Sequence, residues 1–293
     1  MIDEVQKVPA LLDEVHRLIE MRGLRFILSG SSARKLRRGG TNLLAGRALV
    51  NDLYPLVAAE MDFQRPSDES LRYGSLPLAV TGTDPEAYLR TYAETYLDQE
   101  IRAEALTRNV GAIARDAAVS RQTVQTYFEI LVDTLVGFWV RPWKLKQATK
   151  QVGSPKFYLF DCGVARALSQ RLPYPPTDEE SGALLETLVF NETRAYLAYH
   201  GLHYKLHYWR TYDGAEVDLL CETRNGYVAV EVKAMRRWER RHLRGLARLR
   251  ESLGDDLSCY GVYRGERSMS WGDVRVLPVD DYLQALWNGD ILT

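Results

Sequence analysis

Glu216-Val217-Asp218-Leu219-Leu220-Cys221-Glu222 alternates, Arg224-Asn225-Gly226 turns, and Tyr227 to Lys233 alternates again. Asn-Gly between alternating runs is a strong hairpin signal. A two-residue turn at Asn225-Gly226 pairs Arg224 with Tyr227. It sets Asp218 opposite Lys233, with Glu231 two residues along on the same face. Two carboxylates and an ammonium then converge on one side of a ribbon. The other side, Val217, Leu219, Cys221, Val228, Val230 and Val232, is an apolar layer that anchors it. Carboxylate oxygens suit a hard divalent cation such as Mg²⁺. A cation held there lowers the pKa of its water and stabilises charge on a phosphate.

Asp218 with Glu231-Val232-Lys233 resembles the D…E-x-K signature of the restriction-endonuclease-like superfamily. The resemblance implies Mg²⁺ as cofactor, with Asp218, Glu231 and the Val232 carbonyl as its ligands. It implies Lys233 as the catalytic group that orients or deprotonates the attacking water. The superfamily also carries an upstream helix glutamate, and Glu186 fits, in a helix expected from Gly182 to Tyr199. Glu186 sits off the polar stripe Thr187, Asn191 and Arg194, with Phe190 one turn on. A carboxylate in apolar company needs a partner such as a metal or a lysine. Arg210 ends a strand that enters this site. A salt-bridged carboxylate–lysine cluster without a catalytic role is the alternative reading of the same residues.

A basic run follows. Lys233 to Arg250 holds eight Lys or Arg against one acid, Glu239. Arg237, Arg241, Arg244 and Arg248 are expected on one side of a helix whose other side buries Leu243, Leu246 and Leu249. Such a surface could track the phosphates of DNA. A helix-turn-helix pattern lies upstream. Ile113, Ala114 and Ala117 line one short helix, Ser120 caps the next, and Val124, Phe128, Leu131 and Leu135 bury a face of it. Arg121, Gln122 and Gln125 then face out where a recognition helix contacts base edges. Arg141, Lys144 and Lys146 would form a wing on phosphates. The segment looks like a winged helix, and a protein-interaction module is the other reading.

The N-terminus holds a different chemistry. Asp3-Glu4-Val5-Gln6-Lys7-Val8-Pro9 looks like the end of a Walker B strand. There the first acid holds Mg²⁺ through water and the second polarises the attacking water. Ser31, in Ser29-Gly30-Ser31-Ser32, stands where a sensor residue meets a γ-phosphate. Arg47, in Leu44-Ala45-Gly46-Arg47, could stabilise phosphoryl charge in a neighbouring subunit. Together these motifs resemble a prokaryotic AAA+ ATPase family with a C-terminal domain of unknown function. That domain has a restriction-endonuclease-like core. The resemblance covers nearly the whole chain and implies ATP as a ligand of full-length members. The P-loop of that family is missing, and no Gly-Lys dipeptide occurs in the sequence. The expectation is an N-terminally truncated member, or one that has lost ATP chemistry.

The elements that position these groups follow from periodicity. The fold class expected is α/β, in several domains. Residues 1–65 read as a partial AAA+ P-loop NTPase-like segment. Residues 66–109 read as a linker and helical connector, 110–172 as the winged helix, and 180–293 as the restriction-endonuclease-like α/β domain. The 293 residues carry 38 Lys+Arg and 39 Asp+Glu, so the net charge of -1 makes any nucleic-acid contact a local patch. The longest apolar stretch, Leu131 to Val140, is broken by Asp133 and predicts no membrane span. Met1-Ile2-Asp3-Glu4 is no signal-peptide start. Cys162, Cys221 and Cys259 lie far apart, which points to a reducing cytoplasm rather than a disulfide framework. His200, His203 and His207 match no zinc spacing. The expected partners are DNA, with either further copies of the chain or an ATPase subunit that accepts Arg47 in trans.

Overall fold

The computed structural model describes residues 1–5, 8, 10–30, 47–97, 128–144 and 153–292. The chain divides into two compact units, Met1–Asp52 with Leu97–Phe138, and Leu53–Tyr96 with Trp139–Thr293. The fold is α/β, and no helix of the described residues is long and apolar enough to cross a membrane.

In the first unit, α1 (Leu11–Arg22) buries Leu12 and Val15 and stops at Gly23, whose φ of 64° suits a residue without Cβ. Ile2 and Leu28 form one parallel bridge. Asp3 lies beside it. Its carboxylate accepts from the Ser29 hydroxyl and, at 3.0 Å, from the Glu4 N–H. The Arg47 guanidinium pairs with Glu20 of α1. Ser31 lies outside the described residues, as do Arg121, Gln122, Gln125 and Lys146.

The second unit opens with three short helices, α2 (Ser67–Tyr73), α3 (Pro77–Thr81) and α4 (Pro85–Thr91). From residue 66 on this stretch reads in the sequence as a linker. In the structure it is part of the folded unit. Pro77 and Pro85 start helices, because the first helical turn needs no proline N–H. Leu71 and Leu89 are buried. Gly163 lies so close to the Tyr73 carbonyl that a Cβ would stand 2.3 Å from its oxygen.

Next come β1 (Gly137–Pro142), β2 (Lys156–Leu159), α5 (Cys162–Leu168) and the long α6 (Asp178–Tyr199). Thr177 and Glu180 close a reciprocal capping box at the start of α6. Then follow β3 (Leu206–Arg210), β4 (Glu216–Thr223), β5 (Gly226–Lys233), α7 (Arg244–Leu253), β6 (Leu257–Tyr263), β7 (Met269–Trp271), β8 (Val274–Pro278) and α8 (Val279–Trp287). The strands make one sheet in the order β2-β1-β3-β4-β5-β6-β8-β7.

The strands expected as a wing, β1 and β2, are sheet strands here. Arg141 registers with His207 in a parallel pair, and the Trp143 N–H donates to the Tyr208 carbonyl at 2.7 Å. The apolar side chains Val140 and Trp143 are buried, so burial draws this segment into the sheet.

The core lies along the middle strands. Leu220 of β4, Ala229 of β5 and Cys259 of β6 pack with Leu246 and Leu249 of α7. Leu243 is partly buried against the same cluster.

Candidate functional site

The β4–β5 hairpin has a different register from the one its Asn-Gly suggests. Thr223 pairs with Gly226, so Arg224 and Asn225 occupy the turn. Gly226 has φ 119° and a backbone carbonyl of Asp256 against its missing Cβ, so it is needed just after the turn. The shift is even, and it leaves Glu231 and Lys233 neighbours on their strand. The paired ladder runs from Thr223 as far as Leu219, which pairs with Val230. There it ends, next to an irregularity in the β3–β4 pairing between His207 and Trp209. Asp218 occupies the gap. Its Oδ2 accepts from the Val232 N–H at 2.8 Å, so a side chain takes over a backbone donor of β5.

Two ammonium groups flank this carboxylate. Lys233 Nζ lies 2.6 Å from Glu231 Oε1 and 3.6 Å from Asp218 Oδ2. It also donates to the Val232 carbonyl at 3.0 Å. Lys156 Nζ, from β2, lies 2.6 Å from Glu216 Oε1, 3.4 Å from Glu186 Oε2 and 3.9 Å from Asp218 Oδ1. The Tyr158 hydroxyl donates to the same Glu186 oxygen at 2.9 Å. The structure therefore brings Glu186, Asp218, Glu231 and Lys233 together, and adds Lys156, Tyr158 and Glu216 to them. Arg210 is exposed and pairs with Glu216 at 3.6 Å.

The electrostatics follow from burial. Asp218 is 5% exposed and Glu231 6%. Burial, then the Asp218 charge, pushes the Glu231 carboxyl up to about 8 against the pull of Lys233. Burial and Asp218 also raise Glu186, opposed by Lys156 and the Tyr158 hydrogen bond. Burial works against both ammonium groups, yet the carboxylates around them win. Asp218 and Glu231 raise Lys233, and Glu186, Asp218 and Glu216 raise Lys156.

Glu231 Oε2 is buried without a hydrogen-bond partner, and so is the indole N–H of Trp238. An orphaned carboxylate oxygen in a set of hard oxygen donors fits a divalent cation. Among the described residues, no three His, Cys, Asp or Glu are gathered as a ready metal cage. The two ammonium groups stand between the carboxylates instead.

The basic helix is less uniform than its sequence. Arg237 precedes the helical residues, which begin with a 3₁₀ turn at Arg240. Arg241 pairs with Glu239 at 3.0 Å, Arg244 with Asp213 at 3.4 Å, and Arg248 with Glu251. These three guanidinium groups are exposed but already have acidic neighbours. Arg237 instead borders a cavity with Arg236, Arg264 and Arg267.

Comparison with known proteins divides the chain in three. Residues 1–62 match the family model of an AAA domain. Residues 107–174 match a domain of unknown function (DUF8612), and residues 181–282 match another (DUF4143). The matches support an AAA-like, ATPase-associated family with a domain of unknown function. The hairpin, the basic run and Glu186 all fall within the DUF4143 match. The chain is 28% identical over 260 residues to the uncharacterized protein Rv2008c of Mycobacterium tuberculosis, and likewise to Mb2031c of Mycobacterium bovis. Each alignment covers 79% of this chain and 58% of the relative. The chain thus spans little more than half the length of these curated relatives.

Lys156, Tyr158 and Glu216 are not marked as site residues by the sequence. Glu216 precedes Asp218 by two positions, and that alternation is a usable signal. Lys-Phe-Tyr on β2 carries none, because its place beside the hairpin depends on the strand order.

Proposed function

We propose that the second unit is a restriction-endonuclease-like domain that cleaves phosphodiester bonds of DNA with Mg²⁺. One observation carries this reading: Asp218, Glu231 and Lys233 meet where β4 leaves β5, with one Glu231 oxygen unpartnered. Asp218, Glu231 and the Val232 carbonyl are the groups that would hold the ion, with Glu186 as an accessory. When bound, Mg²⁺ supplies charge stabilisation on the phosphate and an acidified water. Lys233 positions the attacking water through its ammonium protons, since a half-buried ammonium paired with two carboxylates stays charged and fixed. The apolar layer beneath β4 and β5 holds these groups rigid.

The AAA-like segment belongs to the same proposal in a supporting role. Asp3 and Glu4 resemble the acids of a nucleotide site, and ATP is proposed for full-length relatives rather than for this chain alone. DNA is the proposed partner, through Arg121, Gln122, Gln125 and the arginines after Lys233. Three free, buried cysteines fit a cytoplasmic setting.

A second reading has its own observation. Lys156 and Lys233 already neutralise much of the cluster, as in a DNA-binding scaffold without catalysis. Incubating the purified chain with supercoiled plasmid and Mg²⁺ separates the two. Nicking that disappears in EDTA and in Lys233→Ala supports the nuclease. Nicking that persists in EDTA, or no nicking with any divalent ion, overturns it.

A further inference from the structure

Beyond the end of β5 the chain builds a cavity of about 560 Å³ whose walls include Arg236, Arg237, Arg264, Arg267, Trp238 and Tyr263. Four arginines line one cavity, with Arg236, Arg237 and Arg267 exposed and Arg264 half-buried, so their positive field is open to an anion from solvent. Glu266 also lines the cavity, and Asp68 of α2 pairs with its arginines. Arg264 donates to Asp68 Oδ1 of α2 at 3.1 Å through Nε, with Nη2 3.0 Å from the same oxygen. Arg236 approaches the other oxygen at 4.0 Å. Arg264 thus holds this carboxylate through two nitrogens while Arg236 stands near its other oxygen, and guanidinium groups pair with a phosphate in the same way.

The cavity is built rather than incidental. The Tyr263 hydroxyl donates to the Arg267 carbonyl at 2.6 Å and accepts from the Arg267 N–H at 3.2 Å. Gly265 lies against the Tyr263 ring so closely that a Cβ would stand 2.0 Å from it. The Arg264 N–H donates to the Met235 carbonyl at 3.2 Å. These contacts fold the 264–267 loop back on β6 and tie it to the loop after β5. Trp238 stacks over Gly261, where a Cβ would come within 2.6 Å of the indole.

Its position matters as much as its charge. Tyr263 registers directly with Lys233 across the parallel β5–β6 pair. The cavity therefore begins about 4.8 Å, one strand spacing, from the backbone of the cluster's lysine.

We propose that this cavity is a phosphate subsite for the polynucleotide backbone next to the scissile bond, and that Asp68 is its built-in competitor. The proposal rests on the reading of the cluster as a site for DNA. An incoming phosphodiester displaces Asp68 from Arg264 and Arg236.

The test is binding of a labelled single-stranded oligonucleotide to the full chain in EDTA, where no metal-dependent cleavage intervenes, across a salt series. Asp68→Asn is expected to tighten binding roughly three- to tenfold. Arg264→Ala and Arg267→Ala are each expected to weaken it by a similar factor and to flatten the salt slope by about 0.7. Arg267→Ala and Asp68→Asn leave the Arg264 packing in place and carry the test if Arg264→Ala does not fold. Unchanged affinity and slope in those two variants overturns the subsite. Binding of inorganic pyrophosphate by calorimetry with no oligonucleotide binding also overturns it, in favour of a small-anion site. If the variants behave as expected but no Mg²⁺-dependent nicking occurs, the nuclease reading fails and the cavity stands as a backbone-phosphate site without a scissile bond beside it. If nicking occurs and the variants bind like the parent, the subsite fails and the nuclease reading stands.

Discussion

The Val232 N–H donates to Asp218 Oδ2 at 2.8 Å, across the point where β4 and β5 stop pairing. One carboxylate thus satisfies a backbone donor, faces two ammonium groups and holds the strands apart. Asp218→Asn preserves an oxygen for Val232 but loses the charge that Lys233 and Lys156 need. It is expected to fold, with plasmid nicking reduced at least ~100-fold. Asp218→Ala leaves a buried N–H unpaired as well. It is expected to cost about 2–4 kcal/mol in urea denaturation. Equal stability of the two variants would contradict the strand-splitting role.

Lys156 binds Glu216 at 2.6 Å and reaches Glu186 and Asp218 at 3.4 and 3.9 Å. Lys156→Met leaves those carboxylates facing each other. The expected loss is about 2 kcal/mol, below the range for fully buried pairs because a quarter of each of Lys156, Glu186 and Glu216 reaches solvent. Millimolar Mg²⁺ should restore melting temperature in this variant more than in the parent. Equal Mg²⁺ effects on both would argue that these carboxylates do not share a cation position.

How far the sequence discloses this arrangement depends on the range of each contact. Asp218, Glu231 and Lys233 are legible because strand alternation is local. The Asn-Gly signal places the turn one residue too late, yet the even register shift keeps the charged residues together. Lys156 is not legible, since it arrives from 62 residues before Asp218 through a strand order that no local pattern encodes. The α2–α4 segment misleads for a physical reason. Its prolines sit at helix starts, where they stabilise order, and composition alone cannot separate that from a linker. Arg166 shows the same limit. It is 1% exposed, paired with Glu180 at 2.8 Å and bonded to the carbonyls of Arg72 and Arg171. Nothing in the surrounding sequence marks it as a buried clamp.

Gly261 provides a packing test beside the cluster. It registers with Glu231 on the neighbouring strand and carries Trp238 on its face. Gly261→Ala forces the indole outward, and overpacking of this kind costs about 1–3 kcal/mol. The Trp238 ring is edge-on to Tyr263 and to His242, at 6.2 and 5.3 Å, so both contacts should loosen. A raised tryptophan fluorescence response to iodide, absent in Gly261→Ala with Trp238→Phe, checks the assignment. An unchanged melting temperature would show that the ring has room the structure does not display.

Glu192 on α6 should give the unit a pH-dependent stability independent of the cluster. Its carboxylate is 4% exposed and accepts from the Ala58 N–H at 2.9 Å and the Trp287 indole at 2.7 Å. Burial pushes its pKa up to about 7, although both hydrogen bonds pull downward. The folded chain therefore holds this proton between the unfolded value near 4.5 and pH 7, where the unfolded chain releases it. Stability from this group is full below the unfolded value and is lost as pH rises through 7, by roughly 3 kcal/mol at most. Asp161, raised to about 6 by burial, adds a change of the same sign over a lower window. The melting temperature should accordingly fall from pH 5 to pH 8. Glu192→Gln should flatten that decline while lowering stability at pH 5, because its amide cannot accept from both donors. A variant that melts with the parent's full pH dependence would show that Glu192 does not hold the proton.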